Sequence, residues 1–227
     1  MQINNQLDGG QGFANGAAAA AVAGLTIGKF TQRISWTNSS PCAATGTASY
    51  TTQDYSLDIF SGATAGSRIG VQLASGIILV NMLGAGFGKF DADKPFTVSF
   101  LVSCIDATAD GIGRAVFGKI GADANGDLSF AGFGIKILNR RLWGVLYDTS
   151  LKTVDLGVDL SSDLNSLISI NRTATGIDYY IDGTLRGTIA TAGIGLLKTY
   201  TTPRFETDNG ATAASNRFMV SPVEILC

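Results

Sequence analysis

The sequence predicts an all-β protein built as an antiparallel β-sandwich, and three observations carry that prediction. The first is the stretch 167–189, LISINRTATGIDYYIDGTLRGTI, which reads as three short strands. Ile168 and Ile170 mark the first, and Thr173-Ala174-Thr175-Gly176 forms a turn. Ile177, Tyr179 and Ile181 then share one face of a second strand whose other face carries Asp178, Tyr180 and Asp182. Asp182-Gly183 turns the chain into a third strand at 184–189, because a two-residue hairpin turn needs backbone angles that glycine tolerates. The second observation is the acid bias: sixteen Asp against two Glu, Glu206 and Glu224. Asp favours turns and Glu favours helices. The third is a chain with 29 Gly and only 4 Pro in which short alternating runs recur along its length.

Taken in order, residues 1–28 are rich in Gly, Ala, Asn and Gln (QLDGGQGFANGAAAAAVAGL) and bury too little apolar surface to offset their own ordering entropy. They are predicted to form an extended N-terminal arm, held by a neighbouring subunit or partner or folded back on its own domain. Residues 29–227 are predicted to form one sandwich domain. Within it, 30–36 (FTQRISW) reads as a strand and 37–47 as a loop containing Pro41 and Gly46. Residues 49–60 alternate, 61–67 turn, and 69–73 and 77–83 read as two strands joined around Ser75-Gly76. The stretch 84–94 (GAGFGKFDADK) reads as a Gly-rich connection. Pro95 opens an almost continuous apolar run to Ile105, the pattern of a strand buried between two sheets. Strands follow at 114–120, 128–138, 141–147 and 154–160, with the turn DANGD at 123–127, and 199–206 and 216–226 close the chain. A 227-residue chain with a dozen such strands fits one undivided sandwich.

Composition narrows the functional classes. Hydrophobic residues are 45% of the chain, enough for a substantial core, and charged residues are 15%. A net charge of −2, with Arg140-Arg141 the only adjacent basic pair, gives no electrostatic reason to bind nucleic acid. The absence of His excludes His-dependent triads and His-ligated zinc. Of the three Cys, Cys104 sits in the apolar run and reads as a buried thiol, and a Cys42–Cys227 bridge is compatible with the sequence without being required by it. No apolar run approaches the roughly 20 residues that span a membrane. The Ala17–Gly24 run lacks the basic residues that precede a signal-peptide core, since the first Lys or Arg is Lys29. The expectation is a protein made and kept in the cytoplasm, or one that leaves by a route other than ordinary secretion.

Five segments together resemble the concanavalin A-like lectin/glucanase superfamily, including its laminin-G-like jelly rolls: PFTVSFLVS (95–103), FGKIG (117–121), FGIKILNRRLWGVLYD (133–148), LNSLISINRTATGIDYYIDGTLRGTI (164–189) and FMVSPVEIL (218–226). The resemblance implies a jelly roll and leaves the ligand open. Glucanases of that superfamily carry paired carboxylates, as a glycosidic bond requires. Here only Glu206-Thr207-Asp208 alternates in that way, and it reads more simply as a solvated strand end running into Asn209-Gly210. The chain is therefore expected not to be an enzyme. Legume-type lectins hold calcium beside the sugar, and Asp123, Asn125 and Asp127 offer alternating oxygen ligands, although no bidentate Glu follows and Asn-Gly is also an ordinary turn. A structural calcium ion is the one cofactor this suggests.

Trp143, Tyr147 and Tyr180 are candidates to stack on sugar rings, with core packing as the ordinary alternative, and Arg172 and Asp178 flank the 173–176 turn as polar rim contacts. With an arm, a jelly roll and no catalytic set, the first expectation is a virion structural protein of a bacteriophage. It would be a capsid decoration (cement) or surface protein, assembled in the host cytoplasm and contacting other virion proteins and copies of itself through the arm. The alternative is a tail-fibre adhesin or free lectin-like module that binds host surface glycans.

Overall fold

The computed structural model describes residues 31–34, 39–53, 56–73, 78–81, 86–89, 93–105, 111–118, 131–159, 164–194, 202–213, 216–221 and 223–226. Among them are eighteen strands and no helix. The predicted arm, 1–28, lies outside the described residues. The strands are β1 (Thr31–Ile34), β2 (Ser39–Thr45), β3 (Ser49–Gln53), β4 (Ser56–Phe60), β5 (Arg68–Leu73), β6 (Ile78–Asn81), β7 (Gly86–Lys89), β8 (Phe96–Ile105), β9 (Ile112–Gly118), β10 (Gly132–Leu138), β11 (Arg141–Tyr147), β12 (Leu151–Asp159), β13 (Leu164–Arg172), β14 (Gly176–Ile181), β15 (Thr184–Ala190), β16 (Thr202–Asp208), β17 (Arg217–Val220) and β18 (Val223–Leu226).

They form an antiparallel sandwich with the architecture of a jelly roll. One sheet has nine strands in the order β15-β14-β13-β8-β17-β4-β3, with β18 pairing both β8 and β1. The other has seven, in the order β12-β11-β10-β9-β16-β5-β2, and β6 and β7 pair separately. The core lies between the two large sheets. Phe100 of the first sits 5.7 Å from Phe117 and, edge-on, 5.7 Å from Phe205 of the second, while Phe96 meets Phe133 at 4.9 Å. Such tilted and edge-to-face pairs add about 0.5–1.5 kcal/mol each beyond the area they bury.

The central hairpin forms as its sequence predicts. Ile177, Tyr179 and Ile181 are buried, and both Asp182 (φ 50°) and Gly183 (φ 76°) take the left-handed conformation that a twisted two-residue hairpin turn demands. Asp182 also accepts a hydrogen bond through its carboxylate from the Leu167 N–H (2.8 Å).

Four sequence expectations are corrected. Residues 39–45, expected within a loop, form edge strand β2, where Pro41 sits beside a bulge and deprives no inner ladder of a donor. Residues 84–94, expected as a Gly-rich connection, contain strand β7, which pairs with β6, while β5 lies between β16 and β2. Alternation identifies a strand but does not name its partner. The apolar run of β8 is buried on one face only. Phe96, Val98, Phe100, Val102 and Cys104 point into the core, whereas Leu101 is 50% exposed on the outer face. The fourth correction concerns Glu206-Thr207, which is no solvated strand end: the two residues are 2% and 1% exposed.

Candidate functional site

The five residues proposed for sugar contact do not converge. Trp143 and Tyr147 stand on the outer face of the seven-stranded sheet, Asp178 and Tyr180 on the outer face of the nine-stranded sheet, and Arg172 at one end of the sandwich. The calcium candidates Asp123, Asn125 and Asp127 lie outside the described residues, as do Cys227 and the side chain of Cys42.

On the seven-stranded sheet, strand register lines up Asp155, Trp143, Lys136, Arg114 and Glu206 in one row. The middle of this face is closed in. Arg114, Val116, Arg204, Glu206 and Val145 are all buried, and the Trp143 indole N–H is buried with no hydrogen-bond partner. Glu206 lies between two guanidiniums, 2.9 Å from Arg204 Nη2 and 3.4 Å from Arg114 Nη1. Each of its two carboxylate oxygens therefore lies beside a guanidinium. Asp208, the acid two positions on, accepts from the Gly210 N–H (2.7 Å). Tyr147 is half-buried opposite Gly132 and Leu151.

The outer face of the nine-stranded sheet is open and rich in hydroxyls. Tyr180, half-buried, faces Leu185 on one neighbouring strand and Ser169 on the other, and Ser169 Oγ lies 2.9 Å from Ser99 Oγ. In the adjacent row Asp178 accepts from Thr188 Oγ1 (2.6 Å) and stands opposite Asn171. Leu167 pairs with Leu101 across β13 and β8. Leu101, Leu167 and Leu185 are 50%, 40% and 51% exposed, so with Tyr180 they form an apolar diagonal across four strands. The alternation in FTVSFLVSC and LNSLISINR held the signal for this diagonal, because Leu101 and Leu167 occupy outward positions next to the buried Phe100, Val102 and Ile168.

Arg172 has a different task. It is 4% exposed, and its guanidinium donates to the carbonyl oxygens of Thr173, Gly176 (3.0 Å) and Ala192 (3.3 Å). It ties the 173–176 turn to the segment after β15. Sequence reading placed it correctly beside the turn, but burial turns its charge toward the backbone.

Comparisons with known proteins bear on the fold. No protein-family profile and no curated protein matches the chain. Among solved structures it is similar to the binding domain of botulinum neurotoxin DC in complex with rat synaptotagmin II, at 13% identity and TM-score 0.51, covering 87% of this chain and 43% of that one. The same toxin's binding domain in complex with SialylT matches at 14% identity and TM-score 0.50, over 88% of this chain and 44% of that one. A sialidase matches at 11% identity and TM-score 0.52, over 83% of this chain and 17% of that one. At these identities the likeness is one of fold: a β-sandwich of the jelly-roll kind. The chain spans less than half the length of each of these three structures.

Proposed function

We propose that this chain is a non-catalytic, lectin-like binding module that takes up glycans on the open face of its nine-stranded sheet, around Tyr180. The observation that carries the reading is the composition of that face: an aromatic ring and an exposed Leu185 side by side, bordered by Asp178, Thr188, Ser169 and Asn171. A sugar presents both a C–H face and hydroxyls, and it is bound by an apolar platform with a few fixed polar groups beside it. The opposite face offers Trp143, but in its row Arg114 and Glu206 are buried and paired with each other, and Asp155 is engaged by Arg141. Structures of the same fold include toxin binding domains seen with SialylT or N-acetylneuraminic acid and one whose toxin's cell entry depends on gangliosides, and these support glycans as the class of ligand. The commitment of Glu206 to two arginines supports a module that binds without cleaving.

The virion reading rests on residues 1–28. In it the sandwich would serve as the head of an adhesin, and removing 1–28 would leave glycan binding intact while abolishing incorporation into the particle.

Glycan-array binding followed by titration tests the site. Tyr180→Ala should weaken binding at least about tenfold, equivalent to about 1.4 kcal/mol, and Tyr147→Ala on the other face should leave it unchanged. Wild-type protein that binds no glycan, or a Tyr180→Ala variant that binds as well as wild type, would overturn the proposal. Loss on Trp143→Ala alone would move the site to the seven-stranded sheet.

A further inference from the structure

Every sheet that is not closed into a barrel has edge strands whose outward N–H and C=O groups invite pairing, and proteins blunt such edges with charge, proline, bulges or brevity. The main sheets of this sandwich show these devices at all but one of their edges. β12 carries Lys152, Asp155 and Asp159, breaks register between Arg141 and Trp143 of its partner, and turns through a left-handed Gly157 (φ 67°). β15 carries Arg186 and lies against a register shift at Tyr179/Tyr180. β2 contains Pro41 and a shift between Pro41 and Ala43, and β1 is only four residues long.

β3 has none of them. Its sequence, SYTTQ, holds no charge, proline or glycine, and its register with β4 is unbroken from Ser49↔Phe60 to Gln53↔Ser56. Among the described residues it pairs with β4 alone. The sandwich also gapes here. Thr52 lies across from the fully buried Leu57 and so faces the interior, yet it is exposed, and Tyr50 covers the core only in part.

From this we infer that β3 is a docking edge, and that its occupant is β3 of a second copy of the chain, antiparallel about a two-fold axis at Thr51. Such an isologous pairing needs one surface only, because each copy supplies what the other lacks. The strand is self-complementary in this register: Thr51 meets Thr51, Tyr50 meets Thr52 and Ser49 meets Gln53, so no like charges oppose each other. The neighbouring outer surface is neutralised too. Asp58, opposite Thr51 on β4, is gripped by Arg217 through Nη2–Oδ2 (2.7 Å) and Nε–Oδ1 (3.1 Å), and Arg217 lies 5.1 Å over the Phe60 ring. Pairing would continue the nine-stranded sheet from one copy into the next and place Tyr50 and Thr52 of both copies over the gap. The inference is independent of the glycan reading, because Tyr180 sits five strands away from this edge.

Sedimentation equilibrium of the full chain, from low to high micromolar, tests it. The wild type should be a monomer–dimer mixture. Thr51→Lys and Thr51→Asp, each at an exposed position, should both weaken the dimer at least about tenfold, since like charges then meet at the axis. An equimolar mixture of the two variants should recover it. Backbone amide exchange at 49–53 in the wild type should slow as protein concentration rises, which gives a readout that needs no variant. A wild type that stays monomeric, a dimer indifferent to both substitutions, a mixture that does not reassociate, or exchange independent of concentration would each overturn the proposal.

Discussion

The two margins of the sandwich are built on opposite plans. At one, edge strands β12 and β15 come together so closely that a Cβ on Gly187 would lie 3.0 Å from both Leu156 Cδ2 and Val154 Cγ2. Behind them, in the second strand of each sheet, Tyr179 lies against Gly144 and donates its hydroxyl hydrogen to the Val145 carbonyl (2.7 Å). Asp148 then fastens the β11–β12 turn to the end of β15, accepting from Lys152 Nζ and from Thr191 Oγ1 (2.9 Å). At the other margin β2 and β3 are joined by a short turn held by Thr45 Oγ1 on the Gly66 carbonyl and by Ser67 Oγ on the Thr47 N–H. Among the described residues only Tyr50 reaches over the core at this margin, and it covers it in part. A margin becomes dry where small residues let side chains of the facing sheet enter, and stays open where the edge is polar and nothing enters.

The strongest test of the closed margin is Gly144→Ala. A Cβ there would stand 2.8–2.9 Å from three carbons of the Tyr179 ring, a side chain with no exposed surface. The ring would have to shift, loosening its bond to Val145, and overpacking of this kind costs about 1–3 kcal/mol, toward the upper end where a hydrogen bond is also strained. Equilibrium denaturation should show a loss of about 3 kcal/mol. A loss under about 1 kcal/mol would mean that Tyr179 is not wedged as described.

Asp148→Ala should act at the same margin more weakly. It removes an acceptor shared by Lys152, the Thr149 N–H and Thr191, and a cost of about 2 kcal/mol is expected at neutral pH. The Lys152 hydrogen bond, helped by the Thr149 N–H and Thr191 and opposed by burial, holds the carboxyl well below the ordinary carboxylate value of 3.8. Because the folded-state value is lowered, the stabilisation is complete above 3.8 and fades as the pH falls below it toward the folded-state value. The stability gap between wild type and variant should therefore be flat from neutrality to about pH 5 and narrow in stronger acid. A gap that changes with pH above that range would point to another titrating group.

Much of this architecture was legible in the sequence, and what was not has a physical reason. Period-two alternation marked β13, β14 and β15 and the two faces of β14, and the Asp182-Gly183 turn set where β14 and β15 begin to pair. It could not say that β5 crosses to β16, because a strand's partner is chosen by distant residues. Nor could it separate Trp143 from Tyr180: both read as aromatics on sheet strands, and only the assembled sheets put them on opposite sides of the molecule. Gly144 and Gly187 look like ordinary strand glycines until the side chains facing them are known. Glu206 read as a strand end because Asn209-Gly210 follows, whereas its burial is decided partly by Arg114, which reaches it only through the pairing of β9 with β16.

The smallest expected effect probes the open margin. Thr52→Val keeps the side-chain shape while exchanging a hydroxyl for a methyl on a residue that faces the interior but remains exposed. At a closed position the new methyl would be withdrawn from water and would stabilise the fold by about 1 kcal/mol. Here it would stay in contact with water, so monomer stability, measured at protein concentrations too low for association, should change by no more than about 0.5 kcal/mol. The same substitution should tighten self-association modestly if β3 edges pair, since two copies then cover each other's valine. A monomer stabilised by about 1 kcal/mol or more would show that the margin is already shut within one chain, and the contrast between the two sides of the sandwich would disappear.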